Sequence, residues 1–221
     1  GVDSQRLIII EAGRGLDVMK HKTGHTEDVH DKDSGTKSHR HEAGSADPHV
    51  WLDFDNAVRM TENITRGLID RDPKNKDYYL GNAALFIGKL KAMDNKYRTA
   101  LANCKKRIIV HAGHFAFGYL AGRYDIEHIA AYKGFSPNAE PTPRDLAQLS
   151  RTVKKEGLKY IFVEELITPT IGEAVSKETG VEMLLLHGAH NISKSELDNG
   201  VTFLYLMEKN LENLRKGLQC Q

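Results

Sequence analysis

The spacing of hydrophobic residues predicts two helices in the first half of the chain. From Asp53 to Asp70, apolar residues recur every three or four positions, which is typical of an amphipathic helix, and Asp72-Pro73 ends it. A second helical pattern without proline runs from about Lys74 to Asn103. At 1.5 Å per residue this helix would be about 40 Å long, more than most single cores require. We therefore expect it to join two lobes.

The pattern changes after residue 104 to short apolar strands that alternate with amphipathic helices. The predicted strands are 107–110, 126–132, 160–163 and 182–186, and the predicted helices are 115–123, 143–156, 170–179 and a last helix that carries Leu197 and Val201 and ends near Leu218. Continuous apolar strands, each followed by a helix, indicate a parallel sheet covered on both faces. The fold class is therefore α/β, with a four-stranded, doubly wound C-terminal lobe at 104–221.

The N-terminal region contains fewer elements. It offers one strand at Leu7–Ile10, a possible short strand near Val50–Leu52 and the first helix, and too few strands for a stable sheet. Residues 20–46 contain almost no large apolar side chains, so we expect a loop there. The predicted division is an incomplete N-terminal lobe at 1–72, a linking helix at 73–103 and the C-terminal lobe.

Composition removes several classes of function. The chain has 221 residues and a net charge of +1, so it has no field that attracts nucleic acid or anionic lipid. No apolar run approaches the ~18 residues that a membrane-spanning helix needs. The two cysteines, Cys104 and Cys220, have no CxxC spacing, which argues against a zinc ribbon or a dithiol redox site. They can pair in an oxidising compartment.

Histidine is the unusual component of this sequence. Parallel strands place their carboxyl ends at one edge of a sheet, where ligands bind. The polar residues that follow the predicted strands are His111, His114, Glu164, Glu165, His187 and His190. Several imidazoles without a serine or cysteine nucleophile motif favour a metal site, and imidazole suits zinc better than manganese.

Simpler interpretations stay open for the single residues. His111 or His187 alone would more simply be a loop residue bonded to the backbone, and Glu164-Glu165 a charged rim or helix cap. His49, beside Trp51, is equally compatible with a packed turn. The predicted loop at 20–46 contains five further histidines: His21, His25, His30, His39 and His41. This loop is either a solvated linker or a weak, exchangeable metal collector.

Three sequence blocks carry a resemblance to a known family. They are ADPHVWLD at 46–53, HFAFGYLAGRYDIE at 114–127 and GFSPNAEPTPRDL at 134–146. Together they resemble the zinc and manganese solute-binding proteins of bacterial ABC transporters, the cluster A-I metal receptors. The resemblance implies two α/β lobes joined by a rigid helix, with a metal ion captured between them and delivered to a permease.

The resemblance also assigns ligands. His49 and His114 match family ligands, and His190 lies where zinc members tend to carry a carboxylate; with His190 as a ligand the site is richer in nitrogen and more zinc-like. His187 is the substitute in a shifted register, and His111 and Glu164 are further possible ligands. The family's first histidine has no counterpart, so we expect an N-terminally truncated receptor whose missing lead carried an export signal and possible lipid anchor.

The expected function is that of an extracytoplasmic zinc-binding receptor of an ABC importer, with the loop histidines as weak collectors. An exported location permits a Cys104–Cys220 disulfide. One alternative is a hydrolase with a zinc-bound water and Glu164 or Glu165 as the general base. The sequence has no HExxH motif, which counts against that enzyme. The other alternative is a metal-binding surface adhesin.

Overall fold

A four-stranded parallel sheet organises the C-terminal half of the chain. The computed structural model describes residues 7–19, 46–114, 116–131, 142–165 and 169–221. The strands are β1 (Ile108–His111), β2 (Glu127–Ala130), β3 (Tyr160–Val163) and β4 (Glu182–Leu185), in the order β2-β1-β3-β4. All neighbouring pairs are parallel. The predicted α/β class and four-stranded parallel sheet are confirmed.

Seven helices surround and precede this sheet in the described part of the chain. They are α1 (Phe54–Arg71), α2 (Lys76–Leu101), α3 (Gly118–Arg123), α4 (Pro143–Lys155), α5 (Thr170–Thr179), α6 (Lys194–Asp198) and α7 (Phe203–Gly217). Asp53 caps α1 by accepting hydrogen bonds from the N–H groups of Asp55 and Asn56. Pro73 opens a short 3-10 turn between α1 and α2, because its ring cannot continue the helix.

The sheet separates two hydrophobic clusters. One contains Leu149, Val153 and Val175 from α4 and α5. The other contains buried residues of α2, α3 and α7, and Tyr97 of α2 donates a hydrogen bond to the Met207 carbonyl of α7. Gly217 allows α7 to lie close to β3, since a Cβ atom there would collide with the Phe162 ring. Both faces of the sheet are therefore covered, as the apolar strands predicted.

Three local predictions are wrong. Leu7–Ile10 is not a strand, since no described segment pairs with it; Ile10 packs on Gly67 of α1, while Ile9 is 84% exposed. Val50–Leu52 forms a 3-10 turn instead of a strand. The last helix is two helices, because Gly200 adopts a positive φ of 70° and Thr202 starts a new helix by capping α7. Leu197 consequently lies outside the inner stripe and is exposed.

The long helix α2 is 26 residues, close to its predicted length. Its C-terminal half buries Leu90, Met93, Tyr97 and Leu101, whereas Tyr78 and Leu85 in its first half are exposed. None of the helices within the described ranges combines the length and apolarity required to cross a membrane. The predicted loop at 20–46 lies outside the described residues except for Ala46.

A disulfide joins Cys104, just after α2, to Cys220, just after α7. The two cysteines also form an isolated antiparallel bridge, and Lys106 N–H donates to the Leu218 carbonyl beside them. The cross-link spans 116 positions of sequence and encloses all four strands. It therefore restricts the unfolded chain over the whole C-terminal half.

Replacing both cysteines, Cys104→Ser with Cys220→Ser, is expected to lower the free energy of unfolding by about 3–5 kcal/mol, because the unfolded chain regains the entropy of an open loop. Urea unfolding with and without a reducing agent measures the effect. A reducing agent should destabilise the unmodified chain and leave the double variant unchanged; equal stability of the two proteins under oxidising conditions would contradict the cross-link.

Two histidines lie inside the sheet. His111 of β1 is fully buried, both ring nitrogens of His128 on β2 are buried, and the two ring centroids are 6.1 Å apart. Burial lowers the pKa of each imidazole to about 3. Both rings are therefore neutral at pH 7. Below about pH 6.5 the unfolded chain binds protons at these positions that the folded protein does not bind, so stability decreases as the pH falls.

The variant His128→Gln is expected to reduce this pH dependence, since glutamine does not titrate. Each buried histidine makes the unfolding free energy fall by up to about 1.4 kcal/mol per pH unit below pH 6.5. Urea unfolding of the metal-free protein at pH 7, 6 and 5 should show a shallower decrease for the variant, by about 1 kcal/mol between pH 6 and 5. Parallel curves for the two proteins would show that His128 is not held neutral by the fold.

Candidate metal centre

Three predicted ligands come together at the carboxyl edge of the sheet. The ring centroids of His49 and His114 are 5.2 Å apart, and that of His190 lies 6.0 Å and 6.1 Å from them. His49 precedes α1, His114 follows β1 and His190 follows β4. Residues separated by up to 141 positions in the sequence thus form one cluster, which we call the histidine cluster.

The His49 ring is held by its own short segment. Asp47 Oδ1 accepts hydrogen bonds from the His49 backbone N–H at 3.0 Å and from His49 Nδ1 at 2.7 Å. Asp47 and His49 are 1% and 4% exposed. Trp51 ties this segment to the loop after β4, since its Nε1 donates to the Gly188 carbonyl at 2.8 Å. The tryptophan beside His49 is therefore part of the support of the cluster.

The His114 ring is held by a carboxylate that directly follows β3. His114 Nδ1 lies 2.7 Å from Glu164 Oε2, and both side chains are nearly buried. Gly113 makes room for this contact, because a Cβ atom there would collide with the Glu164 carboxylate and the His111 ring. Burial is the largest single effect and raises the pKa of Glu164, but the contact with His114 and the nearby imidazoles of His111 and His114 together outweigh it, so the pKa is lowered. Glu164 is therefore ionised beside His114.

The two carboxylates fix which nitrogen of each ring faces the other. A carboxylate oxygen 2.7 Å from Nδ1 favours the tautomer with its proton on Nδ1, which leaves the lone pair of each neutral ring on Nε2. The two Nε2 atoms lie 3.3 Å apart. Two lone pairs at this distance repel unless a proton or a cation lies between them. Tetrahedral zinc with Zn–N distances of 2.0–2.1 Å places two ligand nitrogens about 3.3 Å apart.

His190 has a looser arrangement. Its side chain is 25% exposed, and its Nδ1 lies 3.8 Å from Glu165 Oε1. Glu165 is nearly buried; its Oε2 accepts a hydrogen bond from Gly188 N–H at 2.9 Å. Within the described residues its Oε1 has no hydrogen bond, and His187 Nδ1 lies 3.5 Å from it. Across the described ranges, no three histidine, cysteine or acidic side chains are already placed to hold an ion. The histidine cluster thus has two ring nitrogens, Nε2 of His49 and of His114, at the spacing of zinc ligands, and a third imidazole nearby.

Other predicted ligands lie elsewhere. The His111 ring packs on Phe117 at 4.9 Å between centroids, and its Nδ1 is 3.3 Å from the His114 carbonyl. His187 Nδ1 accepts a hydrogen bond from Ala189 N–H, and Asn210 bonds both backbone groups of His187. Glu164 stands behind His114. The five loop histidines, His21, His25, His30, His39 and His41, lie outside the described residues.

The charges around the histidine cluster are unbalanced. Asp47, Glu164 and Glu165 are all nearly buried. In the part of the chain that the structure describes, the ion-pair partners of these three carboxylates are histidines and include no lysine or arginine. A buried carboxylate without a positive partner is costly. The site therefore favours a cation.

Sequence reasoning missed the supporting carboxylates. Asp47 lies two residues before His49 in the same block, and that proximity was a usable signal. From the sequence, Glu165 is predicted only as a rim or helix-cap residue or as a general base. Its position beside His190 depends on the pairing of β3 with β4, which the chain order alone does not give.

A family model described as "Zinc-uptake complex component A periplasmic" matches residues 2–217. Zinc-binding protein AdcA of Streptococcus pyogenes serotype M18 is 36% identical over 219 residues, which cover 96% of this chain and 42% of AdcA. The chain thus spans less than half the length of that relative.

Two solved structures have similar folds. The metal-dependent lipoprotein YcdH of Bacillus subtilis matches with a TM-score of 0.76 and 30% identity, covering 98% of this chain and 72% of YcdH. The Zn(II)-bound ZnuA-like domain of Streptococcus pneumoniae AdcA matches with a TM-score of 0.67 and 35% identity, covering 78% of this chain and 64% of that one. With nearly the whole chain matched by the family model, the protein belongs to the ZnuA family of periplasmic zinc-uptake components.

Proposed function

We propose that this protein captures a zinc ion at the histidine cluster and delivers it to the permease of an ABC importer. The observation that carries the proposal is the pair of Nε2 atoms of His49 and His114, 3.3 Å apart, each on a ring held by a carboxylate. Carboxylates bonded to the second nitrogen of a ligating histidine orient the ring and strengthen its binding. Membership of the ZnuA family supports zinc as the cargo.

The ligand chemistry favours zinc over manganese. Three imidazoles make a nitrogen-rich set, whereas manganese prefers more oxygen ligands. His190 completes the set by turning its partly exposed ring toward His49 and His114, and Glu165 Oε1 supports its Nδ1 as it does so. A bound divalent ion also offsets the charge of the three buried carboxylates.

The proposal extends to the organisation of the chain. The ion would lie between a first lobe at 1–72 and a second lobe at 104–221, with 73–103 as the linking helix. In support, α2 packs against α1 and α7, and His49 reaches the cluster from the chain segment before α2. We place the protein outside the cytoplasmic membrane, on the basis of the periplasmic family. The five loop histidines would act there as weak, exchangeable collectors, and a lipid anchor would hold the receptor at the membrane.

The enzyme alternative has less support. Glu164, the proposed general base, is engaged by His114, and Glu165 by Gly188 and its histidine neighbours. The family and the relatives above are named for zinc binding and uptake rather than for a reaction. Adhesion stays an alternative that binding to a host ligand, independent of His114, would reveal.

Protein stripped of metal and reloaded with equimolar zinc and manganese is expected to retain one zinc per chain. His49→Ala and His114→Ala should each abolish retention, because each removes one of the two nitrogens at metal spacing. Elemental analysis after desalting measures the metal. His128→Gln is the control, since that ring lies on β2 beside His111 and outside the histidine cluster. Zinc retained by both test variants would refute the assignment.

Replacing Glu165 by Gln is expected to weaken zinc binding by about 10–100-fold, because His190 loses the charge beside its Nδ1. Glutamine keeps the size of the side chain and an oxygen for Gly188 N–H. Competition with a chromophoric chelator measures the dissociation constant. Glu173→Gln, on the exposed side of α5, is the matched control and should bind like the unmodified protein. An unchanged dissociation constant for Glu165→Gln would mean that the charge of Glu165 does not support zinc binding by His190.

A further inference from the structure

An ionic network with a buried centre lies beside the histidine cluster and supplies none of the candidate metal ligands. Its centre is Arg123, the last residue of α3, whose side chain is 7% exposed. The guanidinium donates two hydrogen bonds to the Asp94 carboxylate of α2, from Nε at 2.7 Å and from Nη2 at 2.8 Å. Such a bidentate pair is geometrically specific as well as strong. Tyr124 and Arg98 also donate to Asp94.

The third guanidinium nitrogen of Arg123, Nη1, contacts the segment that carries His49. Nη1 donates to both oxygens of Asp53 at 3.1 Å and to Asp55 Oδ2 at 2.8 Å. Asp53 at the same time caps α1. One hydrogen-bonded turn separates Asp53 from His49, since Leu52 N–H donates to the His49 carbonyl and Asp53 N–H to the Val50 carbonyl. The position of Asp53 therefore constrains the position of His49.

A second residue of α3 contacts the same segment. Tyr119 Oη donates to the Asp47 carbonyl at 3.2 Å, and Asp47 is the residue that orients His49. Tyr119 and Arg123 are four positions apart, so they share one face of the helix. The helix begins four residues after His114. It thus holds the His49 segment on both sides while being joined through the chain to the other ligand.

We propose that Arg123 is a positioning residue that fixes the separation of His49 and His114 through its contact with Asp53. This inference rests on the proposed zinc site. It explains why an arginine bonded to three carboxylates, rather than an apolar side chain, fills this position: the planar fork specifies the orientation of α3 relative to both α2 and the start of α1. Hydrophobic packing alone fixes orientation less sharply.

Two variants test the contact from its two ends. Arg123→Lys keeps the positive charge but removes the planar guanidinium and its bidentate hydrogen bonds. Asp53→Asn removes the negative charge that faces Arg123 but keeps the cap of α1, because asparagine caps helices as well as aspartate does. Arg98→Gln is the matched control: Arg98 also bonds Asp94 but does not contact Asp53. The zinc dissociation constant is measured by chelator competition, and the melting temperature of the metal-free protein is measured in parallel.

The two test variants are each expected to raise the zinc dissociation constant about tenfold, while Arg98→Gln leaves it within about twofold. The double variant should also lose about tenfold in zinc affinity, and not the product of the two single effects, because both substitutions break the same contact. A lower melting temperature with unchanged zinc affinity in Asp53→Asn would overturn the positioning role. If Arg123→Lys does not fold, Asp53→Asn alone tests the proposal. Absence of zinc binding by the unmodified chain would overturn the proposed function and this inference together.

Discussion

Buried carboxylates need positive partners, and the edge of this sheet holds three carboxylates whose ion-pair partners, within the described residues, are imidazoles. The arrangement is stable only if the histidines share protons or a cation completes the charge. The rest of the site follows from this requirement. Asp47 and Glu164 direct the Nε2 atoms of His49 and His114 toward each other, at a spacing that suits a tetrahedral ion.

The fold brings these groups together through two kinds of connection. Parallel strands deliver His114, Glu164 and the loop after β4 to one edge, as the alternation of strands and helices predicted. His49 arrives differently, from a turn that precedes α1. Trp51, Tyr119 and Arg123 hold that turn against the sheet domain by polar contacts. The rigidity of the proposed metal site therefore depends on these contacts between two parts of the chain.

The hydrophobic pattern predicted most of the fold because buried parallel strands and amphipathic helices leave strong periodic signals. The bounds of β3 and α5 agree with the structure residue for residue. The failures occurred where local pattern does not decide: Leu7–Ile10 has strand-like residues but no paired neighbour among the described residues, and a positive φ at Gly200 interrupts an otherwise helical stripe. His49, His114 and His190 were identified as candidate ligands from family blocks, strand ends and register. Asp47 lies two positions before His49 and could have been predicted as its partner, whereas Glu164 and Glu165 meet His114 and His190 only through tertiary contacts between distant residues.

The disulfide between Cys104 and Cys220 has a further consequence for the C-terminal half. Because the link closes a covalent ring around all four strands, a protease that cuts one peptide bond within that ring does not release a fragment. The two pieces stay attached at the junction of α2 and α7, with Tyr97 still bonded to Met207 nearby. If the proposed location outside the cytoplasm exposes the protein to proteases, it would survive a single cleavage in this ring with the strands of its sheet held together.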